Sequence, residues 1–192
     1  MEGRRALIVR IGATLASLVA VTALIMRTSD AAFTASTDNS GNSWAAGQVH
    51  LSDDDSGTAM FTATNMVPGD SLTKCILVTY DGTTPNPTLV KLYATAATTT
   101  GLAPYLDLVI DQGSTGSFSS CTGFTVSSTI YTGTLADFAA TKTNYASGVG
   151  NWDPFATPQT KVYRFKVTLD AATPNSAQSA TASAGFTWEV SS

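Results

Sequence analysis

His50 is the only histidine in the chain, and Asp53, Asp54 and Asp55 follow it closely. Imidazole and carboxylate are the ligands zinc takes, and clustered carboxylates in a tight turn suit calcium. Calcium is therefore the one cofactor for which the sequence offers ligands. Neither metal finds its full pattern. A catalytic zinc commonly has two or more histidines among three protein ligands, and no H-E-x-x-H occurs. In an EF-hand the glycine and the closing glutamate stand at fixed places; here the glycine comes too early and no glutamate follows at its place. The expectation is a strand residue beside a capped, solvated turn, with no metal, no cofactor and no catalytic residue.

Other chemistry is thin. No G-x-S-x-G is present, so a serine hydrolase is unsupported. Asp107 and Asp111 alternate with Leu106, Leu108 and Ile110, the pattern of a solvated strand face rather than of an acid–base pair. Trp152, Trp188, Tyr145 and Phe155 could stack on sugars; such residues more often fill the ends of a core.

The N-terminus carries a stronger signal. Arg4, Arg5 and Arg10 precede Ile11 to Met26, a run without charge closed by Arg27. The run is short against the ~20 apolar residues of a spanning helix and slightly long for the ~7–15 of a signal core. Ser29 and Ala31 place small residues before a cut between Ala31 and Ala32. Residues 1–31 are expected to be a signal peptide; the alternative is an uncleaved anchor, the only membrane contact expected. Removing them takes away Arg4, Arg5, Arg10 and Arg27 with only Glu2 and Asp30, so an already acidic chain becomes more so. No basic patch remains for a phosphate backbone, which excludes nucleic acid as a partner. Charged residues make up only 12% of the chain, and Thr, Ser, Ala and Gly take their place, as suits an extracellular β-protein. Cys75 and Cys121, an even pair behind an export signal, are expected to form a disulfide; the alternative is two buried free thiols.

The elements that must position these residues read as β. Period-two alternation marks Leu72 to Tyr80, Leu89 to Thr95, Leu106 to Gln112, Phe124 to Tyr131 and Lys161 to Leu169. Gly47 to Leu51, "GTAMFTAT" at 57–64 and "FTWEV" at 186–190 add three more. Pro68-Gly69 is set for a type II turn. "TLADFAAT", 134–141, is the one short helix, with Thr134 as its N-cap. Residues 144–160 read as a long aromatic loop. These elements predict an all-β fold: a jelly-roll-like, two-sheet antiparallel β-sandwich over residues 47–192 with one short helix, preceded by the signal peptide.

The order of three stretches carries a resemblance. The basic–hydrophobic leader followed by "AAFTASTDNSGNSWAAGQVHLSDDDSGTAMF" and "NMVPGDSLTKCILVTYDG" resembles the TasA/camelysin family of exported bacterial proteins. The tail from "GTLADFAATKTNYASGVGNWDP" to "VYRFKVTLDAATPNSAQSATASAGFTWEV" is similar to its actinobacterial branch. The resemblance implies a jelly roll, a leader cut by a dedicated SipW-type signal peptidase, and extracellular matrix fibres in which the N-terminal segment of one subunit adds a strand to the next. Here that donor strand would be Ala32, Phe33, Thr34 and Ala35, with Phe33 as the apolar anchor, inside a donor-and-linker segment at 32–46. Such a head-to-tail contact does not close and grows filaments. A monomeric surface-binding module is the alternative. The camelysin name also implies a metallopeptidase, which the lone His50 does not support.

Overall fold

The computed structural model describes residues 48–191, apart from 64, 85 and 86. The expected signal peptide, its cut between Ala31 and Ala32, and the donor residues Ala32, Phe33, Thr34 and Ala35 with their linker lie outside the described residues.

Among the described residues eight strands follow in order: β1 (Leu51–Asp53), β2 (Ser71–Tyr80), β3 (Val90–Thr95), β4 (Leu106–Ser114), β5 (Thr125–Thr134), β6 (Val149–Trp152), β7 (Gln159–Leu169) and β8 (Gly185–Glu189). Among the described residues one α-helix, α1 (Leu135–Thr141), lies between β5 and β6. All pairings are antiparallel. They make a five-stranded sheet, β1-β2-β7-β4-β5, and a three-stranded sheet, β6-β3-β8. The fold is an all-β sandwich.

The alternating residues build its core. Ile76, Val78 and Tyr80 of β2, Leu108 and Ile110 of β4, and Tyr163 and Phe165 of β7 point inward from the larger sheet and are buried. Val90, Leu92 and Ala94 of β3 meet them from the smaller sheet. Two sheets facing each other hide one face of each strand, which is why period two is so plain here. The Pro68-Gly69 turn forms as expected: Asp70 donates its N–H to the Val67 carbonyl at 2.9 Å, with Gly69 at φ +95. Helix α1 starts where its cap residue predicts. Thr134 accepts the Asp137 N–H at 3.1 Å, and Phe138 of the first full turn is completely buried. The Tyr131 hydroxyl donates to the Thr134 carbonyl and to Asp137, both at 2.9 Å. Burial pushes the Tyr131 phenol upward from its usual pKa, and the Asp137 carboxylate adds to the shift.

Three expectations are corrected. Residues 57–64 are not a strand: among the described residues, 59–63, 65 and 66 make no backbone hydrogen bond. Met60, Phe61 and Met66 still pack against the core. Met60 and Phe61 are adjacent, so an extended strand would send them to opposite faces; the segment turns both toward the core and forms no ladder. Residues 144–160 are not wholly loop, since β6 pairs there with β3. The solvated face drawn for Asp107 and Asp111 holds only for Asp107; Asp111 is 5% exposed. Its neighbours across the sheet explain the burial. Cys75, Arg164, Asp111 and Thr129 form one row across β2, β7, β4 and β5. Cys75 is bonded to Cys121, which ties the loop before β5 over this outer face. Beneath it Arg164 donates to Asp111 through Nη2 at 2.7 Å and Nε at 3.2 Å, and Thr129 Oγ1 donates at 2.6 Å. The Phe124 ring covers the guanidinium at 4.7 Å.

Candidate functional site

The sheet order itself marks a site. An eight-stranded jelly roll divides into two sheets of four, strands 2, 7, 4 and 5 in one and 1, 8, 3 and 6 in the other. Here β2, β7, β4 and β5 stand as that pattern requires, and so do β6, β3 and β8. The first strand does not. β1 pairs with the far end of β2, at Leu51–Tyr80 through Asp53–Val78, and so extends the wrong sheet. β8 therefore ends the smaller sheet, and its outer edge is unpaired among the described residues.

That edge is built to be covered. Phe186 and Trp188 point inward against Phe165, with ring centroids 4.7 and 6.1 Å away, and Trp188 also meets Tyr163 at 5.4 Å. Both remain only partly buried. Natural edge strands are usually protected by lysine, proline or a bulge. β8, "GFTWE", carries neither lysine nor proline, and its pairing with β3 is regular. Between β8 and β1 lies a cleft of about 200 Å³, lined by Leu51, Ser52, Asp53 and Val78 on one side and by Phe186, Thr187 and Trp188 on the other. Its walls are the edges of two sheets. Chemically it can accept an extended segment that pairs with β8 and sends alternate apolar side chains between the sheets. The signal for it in the sequence is the aromatic pair of "FTWEV", Phe186 and Trp188.

The acidic turn is structural. Asp54 Oδ1 accepts the Leu77 N–H at 2.8 Å and Oδ2 accepts the Phe118 N–H at 2.7 Å. One carboxylate thus ties β2 to the disulfide-bearing loop. Asp53 Oδ1 accepts the Asp55 N–H at 3.2 Å, and Asp55 Oδ1 accepts the Gly57 N–H at 2.6 Å. Partial burial pushes the Asp53 pKa up against the Asp55 amide, and the Asp55 and Asp54 charges push the same way as burial. His50 is exposed and its Nδ1 contacts Asp81 across the β1–β2 ladder, away from the turn. Among the described residues no group of three His, Cys, Asp or Glu side chains is arranged to hold a metal ion.

The four aromatics do not form one face. Trp152 is buried on β6 and Trp188 lies on β8, with β3 between them. Tyr145 is spent on the Leu89 carbonyl at 2.9 Å. Only Phe155, 82% exposed, stands in solvent. Cys75 and Cys121 are brought together as expected. Among the described residues no helix is long and apolar enough to cross a membrane. No protein-family model matches the chain, and no curated protein matches it.

Proposed function

We propose that this protein is a secreted structural subunit of a cell-surface or biofilm-matrix fibre, joined head to tail through its N-terminal arm. Residues 32–35 of one copy add a strand beside β8 of the next. The observation that carries the reading is the sheet order β6-β3-β8, which among the described residues stops one strand short of a jelly roll at an aromatic edge without lysine or proline. The arm has the matching chemistry. In an extended Ala32-Phe33-Thr34-Ala35, Phe33 and Ala35 share one face and Ala32 and Thr34 the other. Phe33 enters the cleft between β1 and β8, and backbone pairing with β8 supplies the rest of the affinity. The contact is heterologous, so it repeats without closing.

The disulfide suits an oxidising, extracellular setting. A SipW-type signal peptidase is the partner that frees the arm, cutting at Ala31. The resemblance to the TasA/camelysin family points the same way. In this reading the chain is a structural element rather than a peptidase, and the carboxylates after His50 serve to brace the turn by accepting backbone amides.

Phe33→Asp tests the reading. Exported wild-type chain is expected to form filaments visible by electron microscopy, with rising light scattering. The variant is expected to stay monomeric and to keep the circular dichroism spectrum of the β-sandwich. Filaments of equal yield from both would refute the arm's role.

A further inference from the structure

A second opening lies at the end of β2, and it shares no residue with the cleft beside β8. The segment after β2 and the connection from β6 to β7 enclose a pocket of about 130 Å³. Phe155 lines it and is 82% exposed. Among the described residues the other exposed large hydrophobics are aliphatic, and none exceeds the 60% of Val67. The ring is not in solvent because its loop is slack. Pro154 beside it is fully buried, and the Phe155 N–H donates to Gln159 Oε1 at 2.9 Å. The chain thus fixes a bare aromatic ring in water, forgoing burial that a bound partner would restore.

The walls of the pocket are neutral, since no charged residue lines it. Tyr80 is held there by donating its hydroxyl to the Thr84 carbonyl at 3.0 Å. Thr83, Thr84 and Thr157 supply further hydroxyls. Thr83 Oγ1 accepts the Gln48 N–H at 3.0 Å, which fixes the oxygen and leaves its proton to donate. Thr84 Oγ1 is buried with no hydrogen-bond partner among the described residues, so turning it toward the pocket breaks no bond. An aromatic face beside hydroxyls that both donate and accept suits a sugar ring. Its C–H face lies on the phenyl ring and its hydroxyls exchange hydrogen bonds with the threonines. An acidic sugar is disfavoured, because no cation lines the pocket and the chain carries a net charge of −4. Pockets that enclose a drug-sized ligand hold ~300–1,000 Å³, so this one takes a single ring and leaves the rest of a sugar chain in solvent.

We propose that this pocket binds one uncharged pyranose unit of a neutral polysaccharide, with Phe155 as the stacking platform and Thr83, Thr84 and Thr157 as the hydroxyl partners. The site is independent of the fibre reading, because it uses neither the N-terminal arm nor β8. A single ring of about a dozen non-hydrogen atoms, bound with the efficiency usual for ligands, gives a Kd on the order of millimolar. The phenyl ring is the part of the site that most exceeds what folding needs, being exposed and outside the core. Its loss is expected to weaken binding at least about tenfold and to leave the fold intact.

Affinity electrophoresis of the full chain tests the proposal, in native gels cast with dextran, mannan, galactan or xylan, and with alginate as the anionic comparison. At least one neutral polysaccharide is expected to retard the wild type. Phe155→Ala is expected to need at least about ten times more of that polysaccharide for the same retardation, while Phe155→Trp keeps it. Circular dichroism confirms that both variants fold. Retardation by alginate alone, or equal retardation of wild type and Phe155→Ala by every neutral polysaccharide, would overturn the proposal. Failure of all four neutral polysaccharides to retard the wild type would overturn it too, whether or not a polyproline peptide is then found to bind at Phe155.

Discussion

Replacing Cys75 and Cys121 together by alanine is expected to cost about 4 kcal/mol of folding stability. The bridge joins residues 46 apart in sequence. Closing a loop of that length removes about 4 kcal/mol of unfolded-chain entropy at room temperature in the chain-entropy model. For a body of this size the loss lowers Tm by about 10 °C. Packing works in the same direction. Cys75 lies at 1% exposure on the outer face of the five-stranded sheet, and Cys121 holds the loop that covers that face. Asp54 and Phe118 are the loop's other anchor, so the loop loosens without leaving. Urea titration of the wild type with and without reductant, beside the double variant, measures the effect. Reductant is expected to lower the wild-type midpoint to that of the variant and to leave the variant unchanged. A loss below about 1 kcal/mol would mean the loop is held without its bridge.

Arg164→Met is expected to destabilise by about 3 kcal/mol. The Asp111 side chain is 7% exposed, and the arginine supplies two of its hydrogen bonds. Without the guanidinium a buried carboxylate keeps only the Thr129 hydroxyl. Breaking a buried pair on one side typically costs about 3–5 kcal/mol; here Arg164 is a third exposed, which places the cost at the lower end. Removing both charges is a different matter. Asp111→Leu combined with Arg164→Met leaves no orphan charge and sets a methionine against Phe124. The double variant is expected to lie within about 1 kcal/mol of wild type. Chemical denaturation of the two singles and the double gives the coupling directly, and additive losses would refute the pair's role.

Both effects arise on a face that the alternation pattern assigns to solvent, and the reason is physical. Period two reports which side of a strand is buried, and it placed the inner faces of β2, β4 and β7 correctly. It cannot report a loop laid over the outer face. The clue was present: Cys75 lies on the face opposite Ile76, so a bridge to Cys121 must draw its loop outside the sheet. Asp111 is buried by that loop. Local chemistry was also legible where it acts locally, as in the Thr134 cap and the Pro68-Gly69 turn. β6 was hidden because "VGNW" is brief and contains Gly150, whose φ of +121 no strand pattern suggests. The segment at 57–64 shows the converse. Met60 and Phe61 are neighbours in sequence yet both pack against the core, which a strand would not allow, and among the described residues no edge pairs with the backbone of this segment. Strand order is the least local property of all. Nothing within "HLSDD" says that β1 will join β2 rather than β8, so the β8 edge, unpaired among the described residues, was beyond reach of pattern alone.

The most direct test puts a photo-crosslinking benzoylphenylalanine in place of Phe33. Fibres are grown from an equal mixture of isotopically light and heavy subunits, irradiated and digested. Mass spectrometry is expected to find position 33 joined to residues 186–188, with mixed light–heavy crosslinks as abundant as the light–light and heavy–heavy ones together. Crosslinks confined to single isotopes, or landing on β5 or β6 at the opposite side of the sandwich, would contradict assembly through an arm seated beside β8 of the next subunit.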